Sequence, residues 1–209
     1  MNLTLRNPVR GEGYSNQYET PPALFRLCVS LFGPFGLDVC AAAETAKCKR
    51  YFTAKDSCLN HSWGPFWDLT GSFCGDTRQT WRTNAWLNPP YSEGSGIGEI
   101  IGRARTAADD DVTSTLALFP AKKSEQSWYQ EHVAGAATLI MPVSGRIAFL
   151  LNGETQTQPN HASVLVWWLR IGLRPHGALL AQTVPFDQRT GIAPRYLAAI
   201  DNMQLRGRG

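Results

Sequence analysis

A chain of 209 residues, 43% hydrophobic and 18% charged, fits one medium domain with an ordinary globular balance and argues against a disordered protein. Its net charge of +3 excludes polyanion binding by bulk electrostatics alone. Only local basic faces remain, with Arg78, Arg82, Lys122, Lys123 and Arg146 as candidates.

Residues 1–19 are polar, carry Gly11 and Gly13, and read as a loosely ordered arm. Thr20-Pro21-Pro22 predicts a helix start with Thr20 as N-cap and proline in the first turn. Ala23, Leu24, Leu27, Cys28 and Leu31 follow at helical spacing, and Gly33-Pro34 stops the helix. Leu37 to Ala41 predicts a short strand, and residues 51–84 predict short strands and a loop. Ala85 to Asn88 is the next strand, Ile97 to Ala108 a helix, and Thr113 to Phe119 a β-branched and apolar strand ending at Pro120. A helix near Ser124 to Val133 precedes strands near Ala137–Met141, Arg146–Leu151 and Ser163–Leu169. This order describes an α/β sheet, mostly parallel with an antiparallel edge. The core domain spans residues 20–170, and the Gly- and Pro-rich tail over 171–209 is expected to be partly disordered or laid over the surface.

Cys28, Cys40, Cys48, Cys58 and Cys74 are odd in number and form no C-x-x-C, so neither a disulfide framework nor a metal site is expected. His61 lies near Cys58 without a second ligand pair. No signal peptide and no apolar run of about 18 residues occurs, so the expected protein is reduced, cytoplasmic and independent of membranes.

The stretch Asn88-Pro89-Pro90-Tyr91 follows an apolar strand. It reads either as a turn with a buried aromatic residue or as a substrate loop at a strand's carboxyl end, where open α/β sheets bind ligands. As a substrate loop it has a clear chemistry. The Asn88 amide oxygen and the Pro89 carbonyl are two acceptors suited to an exocyclic amino group with two N–H bonds to give. Accepting both favours a pyramidal nitrogen whose lone pair is free to attack an electrophile. Pro90 stiffens the loop so that the acceptors need not reorganise, and Tyr91 offers a ring on which a base stacks.

Context favours the substrate loop. Asn88-Pro89-Pro90-Tyr91 resembles the amino-methyltransferase signature of enzymes that use S-adenosylmethionine, and the chain as a whole resembles the phage-type DNA N-6-adenine methyltransferases. The matching pieces run in order through Thr20 to Phe25, Leu37 to Ala41, Lys47-Cys48, Tyr51 to Thr53, and Asp56 with Leu59 and Trp63. They continue through Trp86 to Ser92, Leu118 to Ala121, Gly145 to Phe149 and Ser163 to Trp167, covering roughly residues 18 to 170.

The resemblance implies a compact Rossmann-like methyltransferase sheet without a separate target-recognition domain, S-adenosylmethionine as methyl donor, no metal, and DNA as partner in a bacterial host cytoplasm. It places Thr20, Pro21, Asp38, Cys40 and Ala41 at the donor, with Asp38 near the methionine ammonium, and Asp56 at the donor's ribose or adenine. Asn88 to Tyr91 would hold the target base, with Asn88 also beside the donor. Ser92, Lys122, Arg146 and Phe149 would face the nucleotide or DNA backbone, although for Phe149 a core role is as natural and for Lys122 a solvated helix start. Two departures stand out: Cys40-Ala41-Ala42-Ala43 replaces a glycine-rich donor loop, and Lys122-Lys123 follows Phe119-Pro120-Ala121 where small and acidic residues are usual. The implied reaction is in-line methyl transfer to N6 of a flipped adenine, with no cysteine nucleophile. The rival substrates are cytosine N4, RNA and a protein glutamine amide, and a non-catalytic DNA-binding relative is a further alternative.

Overall fold

The computed structural model describes residues 18–64, 84–91, 94–111, 113–156, 161–171 and 181–197. The N-terminal arm up to residue 17, Arg78, Arg82 and Ser92 lie outside them.

Helix α1 (Pro22–Phe32) begins with proline at its first position and ends at Gly33. Its cap is Pro21, not the predicted Thr20, and no side chain bonds the first turn. The reason is local: Pro22 forces the residue before it into extended backbone, so the helix boundary falls at Pro21 (φ −55°, ψ 135°). Thr20 is thereby left buried, with its hydroxyl unpartnered. Leu24, Cys28 and Phe32 recur every four residues and form the buried face.

Strands β1 (Phe35–Asp38), β2 (Arg50–Tyr51), β3 (Asn84–Leu87) and β4 (Ser114–Pro120) are joined in parallel in the order β2-β1-β3-β4, with helix α2 (Ile97–Asp110) crossing from β3 to β4. Beyond β4 lie β8 (Ser163–Trp168) and β5 (Leu139–Ser144), with β8 antiparallel to both neighbours. The sheet is therefore mostly parallel and Rossmann-like. Its far edge closes with the antiparallel pair β10 (Phe186–Asp187) and β11 (Gly191–Ile192), while β9 (Gln182–Thr183) also pairs with β5. The remaining strands, β6 (Leu150–Leu151) and β7 (Glu154–Thr155), form a separate hairpin.

Side chains alternate across the buried strands and supply both sides of the sheet. On β4, Leu116 and Leu118 pack with α1, while Ala117 and Phe119 pack with Ile101, Ala104 and Ala108 of α2. On β8, Leu165 and Trp167 join the first side and Val164, Val166 and Trp168 the second. Every residue of β4 and β8 is buried, as expected of strands covered on both faces.

Three further expectations change. The predicted helix over Ser124–Val133 is instead a 3-10 turn (Ala121–Lys123), one α-turn α3 (Ser127–Tyr129) and a π-turn (Gln130–Ala134). Trp128 and Tyr129 are held there by edge-on contacts to Phe119, and the Gly135 amide reaches back to the Gln130 carbonyl. The predicted strand over Arg146–Leu151 shrinks to Leu150–Leu151, because Gly145 turns the chain at φ +75° and Ile147 plugs into the core. Residues 182–192 are not laid over the surface: they extend the sheet, with Val184, Phe186 and Ile192 buried. Among the described residues, no helix is long and apolar enough to cross a membrane.

Candidate active site

The site is built by two strand ends. Asp38 closes β1 and stands in register with Trp86 on β3, so Asn88 leaves the neighbouring strand two residues later. The backbone around Asp38 is pinned on both sides: Val39 N–H donates to the Trp86 carbonyl, Phe52 N–H to the Asp38 carbonyl, and Ala41 N–H to the Phe52 carbonyl.

Asp38 is 3% exposed. Its Oδ2 accepts the Lys47 amide at 2.9 Å, while Oδ1 has no hydrogen-bond partner. Desolvation pushes its pKa up to about 6, against the opposing pull of the Lys47 and Cys40 backbone N–H groups and the Lys47 charge. A buried carboxylate with one empty oxygen is incomplete by itself and is suited to a cation.

The Asn88 side chain is held at both ends. Its Nδ2 donates to the Tyr18 carbonyl at 3.2 Å, and its Oδ1 accepts the Tyr91 hydroxyl. That hydroxyl also lies 2.9 Å from the Leu118 carbonyl, so its single proton has a choice of two acceptors. Burial holds the Tyr91 phenol well above its usual range, so it remains a donor. The Tyr91 ring meets Phe149 edge-on at 6.2 Å, and Phe149 meets Tyr18 at 6.3 Å. Pro89 is buried, and the Ser95 hydroxyl donates to the Pro90 carbonyl at 2.9 Å.

A cavity of about 1120 Å³ opens beside these groups. Of the residues predicted from sequence, Thr20, Asp38, Cys40, Ala41, Asn88 and Pro90 line it. Pro21, Asp56, Pro89, Tyr91, Lys122, Arg146 and Phe149 are not on its wall, although Thr53, Ala54 and Ser57 around Asp56 are. The Asp56 carboxylate turns instead to the Thr53 amide at 2.8 Å and the Thr53 hydroxyl at 2.7 Å, which lower its pKa. Lys122 is exposed and its Nζ lies 3.2 Å from His161 Nε2, and Arg146 is exposed with its carbonyl accepting Gln188.

One wall is absent from the sequence reading. The tip of the β6–β7 hairpin, Asn152-Gly153, lines the cavity together with Tyr18 and Glu19. Glu19 pairs with Leu150 through two backbone bonds of 2.8 and 3.0 Å, and its Oε1 accepts the Gly153 amide at 3.3 Å. Both tip residues have positive φ (53° and 79°), which is why Asn-Gly is favoured there. An Asn-Gly between Leu150-Leu151 and Glu154-Thr155 was the available signal.

Comparison with known proteins gives the following. Residues 11–184 match the family described as DNA N-6-adenine-methyltransferase (Dam). The protein named "Putative methyltransferase YfdM" of Escherichia coli (strain K12) is 37% identical over 67 residues, covering 32% of this chain and 74% of that protein. The protein named "DNA N-6-adenine-methyltransferase" of Escherichia phage T1 is 24% identical over 152 residues, covering 66% of this chain and 55% of the phage protein. The chain thus spans about half the length of that phage relative.

Proposed function

Since this chain belongs to the DNA N-6-adenine-methyltransferase family, we propose that it methylates N6 of adenine in DNA, with S-adenosylmethionine as donor and the target base flipped into the cavity. The observation that carries this reading is the empty Oδ1 of buried Asp38, one strand from Asn88 on the wall of the same cavity.

The residues present fit the donor. Asp38 offers the unpaired carboxylate oxygen that an ammonium requires, and the Thr20 hydroxyl is a second buried polar group without a partner. Both line a cavity of about 1120 Å³, which has room for donor and base together. Bound there, S-adenosylmethionine supplies a methyl group made electrophilic by its sulfonium.

The chain's own part is positioning. The Asn88 amide oxygen and the Pro89 carbonyl accept the two N–H bonds of the adenine amine and turn its lone pair toward the methyl group. In the structure the Asn88 oxygen is held by Tyr91, and the Leu118 carbonyl gives that hydroxyl an alternative partner when the amine arrives. The Asn88 oxygen is therefore aimed in advance and released without leaving a buried hydroxyl unpaired. Tyr18 presents the cavity-facing ring on which the base stacks, at about 1–3 kcal/mol per stacked base, with Phe149 and then Tyr91 packed behind it. That gain offsets a flipping cost of a few kcal/mol. Lys122 and Arg146 reach phosphates from outside the cavity, which makes DNA affinity salt-dependent.

The test is incubation of the protein with methyl-labelled donor and unmethylated DNA, followed by digestion to nucleosides. Label in N6-methyldeoxyadenosine supports the reading. Label in cytosine, in RNA or protein of a parallel reaction, or nowhere, overturns it.

A further inference from the structure

Two cysteines face each other in the cavity wall: Cys58, to which the methyl-transfer reading gives no role, and Cys40, which it places beside the donor. Cys40 Sγ and Cys58 Sγ are 3.9 Å apart, and both residues line the cavity next to Asp38. Their backbones are fixed from independent directions. Cys40 lies between two backbone bonds, Val39 N–H to Trp86 and Ala41 N–H to Phe52. Cys58 begins a 3-10 turn whose carbonyl accepts the indole N–H of the fully buried Trp63 at 2.9 Å.

We propose that Cys40 and Cys58 are a thiol-oxidation site: hydrogen peroxide entering the cavity converts them to a disulfide that reshapes the donor wall. The sulfurs must approach by about 2 Å to reach bonding distance. The pair is also unequal, as a reactive dithiol requires. The Cys40 thiol and the positive charge of Arg103 lower the pKa of Cys58, whereas Cys40 is raised by its bond to Cys58 and by burial. Cys28 and Cys48 are pushed up to about 12 by desolvation and are poor competitors.

The steps balance. Cys58 thiolate attacks the peroxide; a sulfur–oxygen bond forms, the oxygen–oxygen bond breaks, and water leaves after protonation. Cys40 thiol then attacks the sulfur of the Cys58 sulfenic acid; the sulfur–sulfur bond forms, the sulfur–oxygen bond breaks, and the hydroxyl leaves with the Cys40 proton as a second water. Two thiols are oxidised and one peroxide is reduced. A thiol reductant reverses the modification by disulfide exchange.

The experiment treats the full chain with hydrogen peroxide, blocks remaining thiols, and maps disulfide-linked peptides by mass. The expected product joins the Cys40 and Cys58 peptides with loss of two hydrogens, reverts with dithiothreitol, and is absent from Cys58→Ser and from Cys40→Ser. A wild-type protein in which both cysteines stay alkylatable, or in which either pairs with another cysteine instead, overturns the proposal without recourse to any variant. In parallel, S-adenosylmethionine binding to reduced and oxidised protein is compared, with at least a tenfold loss expected on oxidation. Equal binding by both forms overturns the reshaping of the wall. Failure of the reduced protein to bind counts against the proposed function, and the peptide map decides this inference separately.

Discussion

The Tyr91 hydroxyl holds the amide oxygen of Asn88, three residues back across the Pro89-Pro90 pair, and keeps the Leu118 carbonyl 2.9 Å away as a second acceptor. Removing the hydroxyl while keeping the ring separates its two roles. In Tyr91→Phe the base still stacks, but Asn88 loses the contact that aims it. What is lost is pre-orientation of the amide, and one such bond is worth about 1–1.5 kcal/mol, so kcat should fall by up to roughly tenfold while donor affinity is unchanged. Tyr91→Ala also removes the ring that backs Phe149 and Tyr18 and should raise the KM for DNA. Steady-state kinetics on the two variants checks the split; an unchanged kcat in Tyr91→Phe would remove the anchoring role.

Asp38 makes stability and donor binding depend on pH in opposite ways. Its pKa rises from 3.8 unfolded to about 6 folded, so below 3.8 both states are protonated and no cost arises. As pH rises from about 4 to 6 the unfolded carboxyl ionises first, and stability falls by an amount on the order of 3 kcal/mol. Asp38→Asn should remove that slope, measured by urea unfolding between pH 4 and 7. Donor affinity should move the other way, weakening in the wild type as pH falls through about 6 because the ammonium needs the ionised carboxylate. Asp38→Asn should bind the donor weakly at every pH.

The Cys58 side of the cavity depends on one carboxylate at the end of α2. Asp111 accepts the Trp63 amide at 2.7 Å, the Ser62 hydroxyl at 3.0 Å and the Arg103 guanidinium, which also caps the Trp63 ring at 5.2 Å. Asp111→Ala leaves a mostly buried guanidinium with the Thr106 hydroxyl and the His61 carbonyl but without its carboxylate, and leaves the Trp63 amide without its acceptor. Destabilisation of about 3 kcal/mol is expected from breaking such a pair, read as a lower denaturant midpoint. A loss below about 1 kcal/mol would show that the network contributes little.

Phe186 tests the C-terminal strands. Its side chain is 0% exposed and packs in the core beneath α1. Phe186→Ala should cost about 3–5 kcal/mol by leaving a cavity, measured by thermal or urea unfolding. A surface-laid tail would lose almost nothing.

The contrast at Phe186 shows where sequence reading ends. The elements with strong periodicity or clear stops, α1, α2, β3, β4 and β8, were legible within one or two residues. Strands β9, β10 and β11 are two residues each, too short for any period; β9 and β10 form along the edge of β5, and β11 pairs with β10. The places of Asp38 and Asn88 on the cavity wall were legible because both stand at the ends of apolar strands. The direction of Tyr91 was not, since its hydroxyl partner Leu118 is 27 positions away. Asp56 is placed at the donor only by resemblance; its carboxylate bonds Thr53, and its neighbours Thr53, Ala54 and Ser57 line the cavity, an arrangement that local sequence does not show. The Asn152-Gly153 tip was visible in the residues, but its place over the cavity depends on Glu19 binding Leu150 across 130 intervening residues of fold, which no local pattern reveals.

The central claim is that Asn88 orients an adenine amine beside a donor held by Asp38. The most direct measurement is labelled methyl transfer to unmethylated DNA by wild type and Asn88→Ala, with donor affinity determined on the same preparations. The account predicts N6-methyldeoxyadenosine from the wild type, a fall of roughly 10²–10³-fold in kcat for Asn88→Ala, and donor affinity largely retained. Undiminished transfer by Asn88→Ala, or label on any base other than adenine, would contradict it.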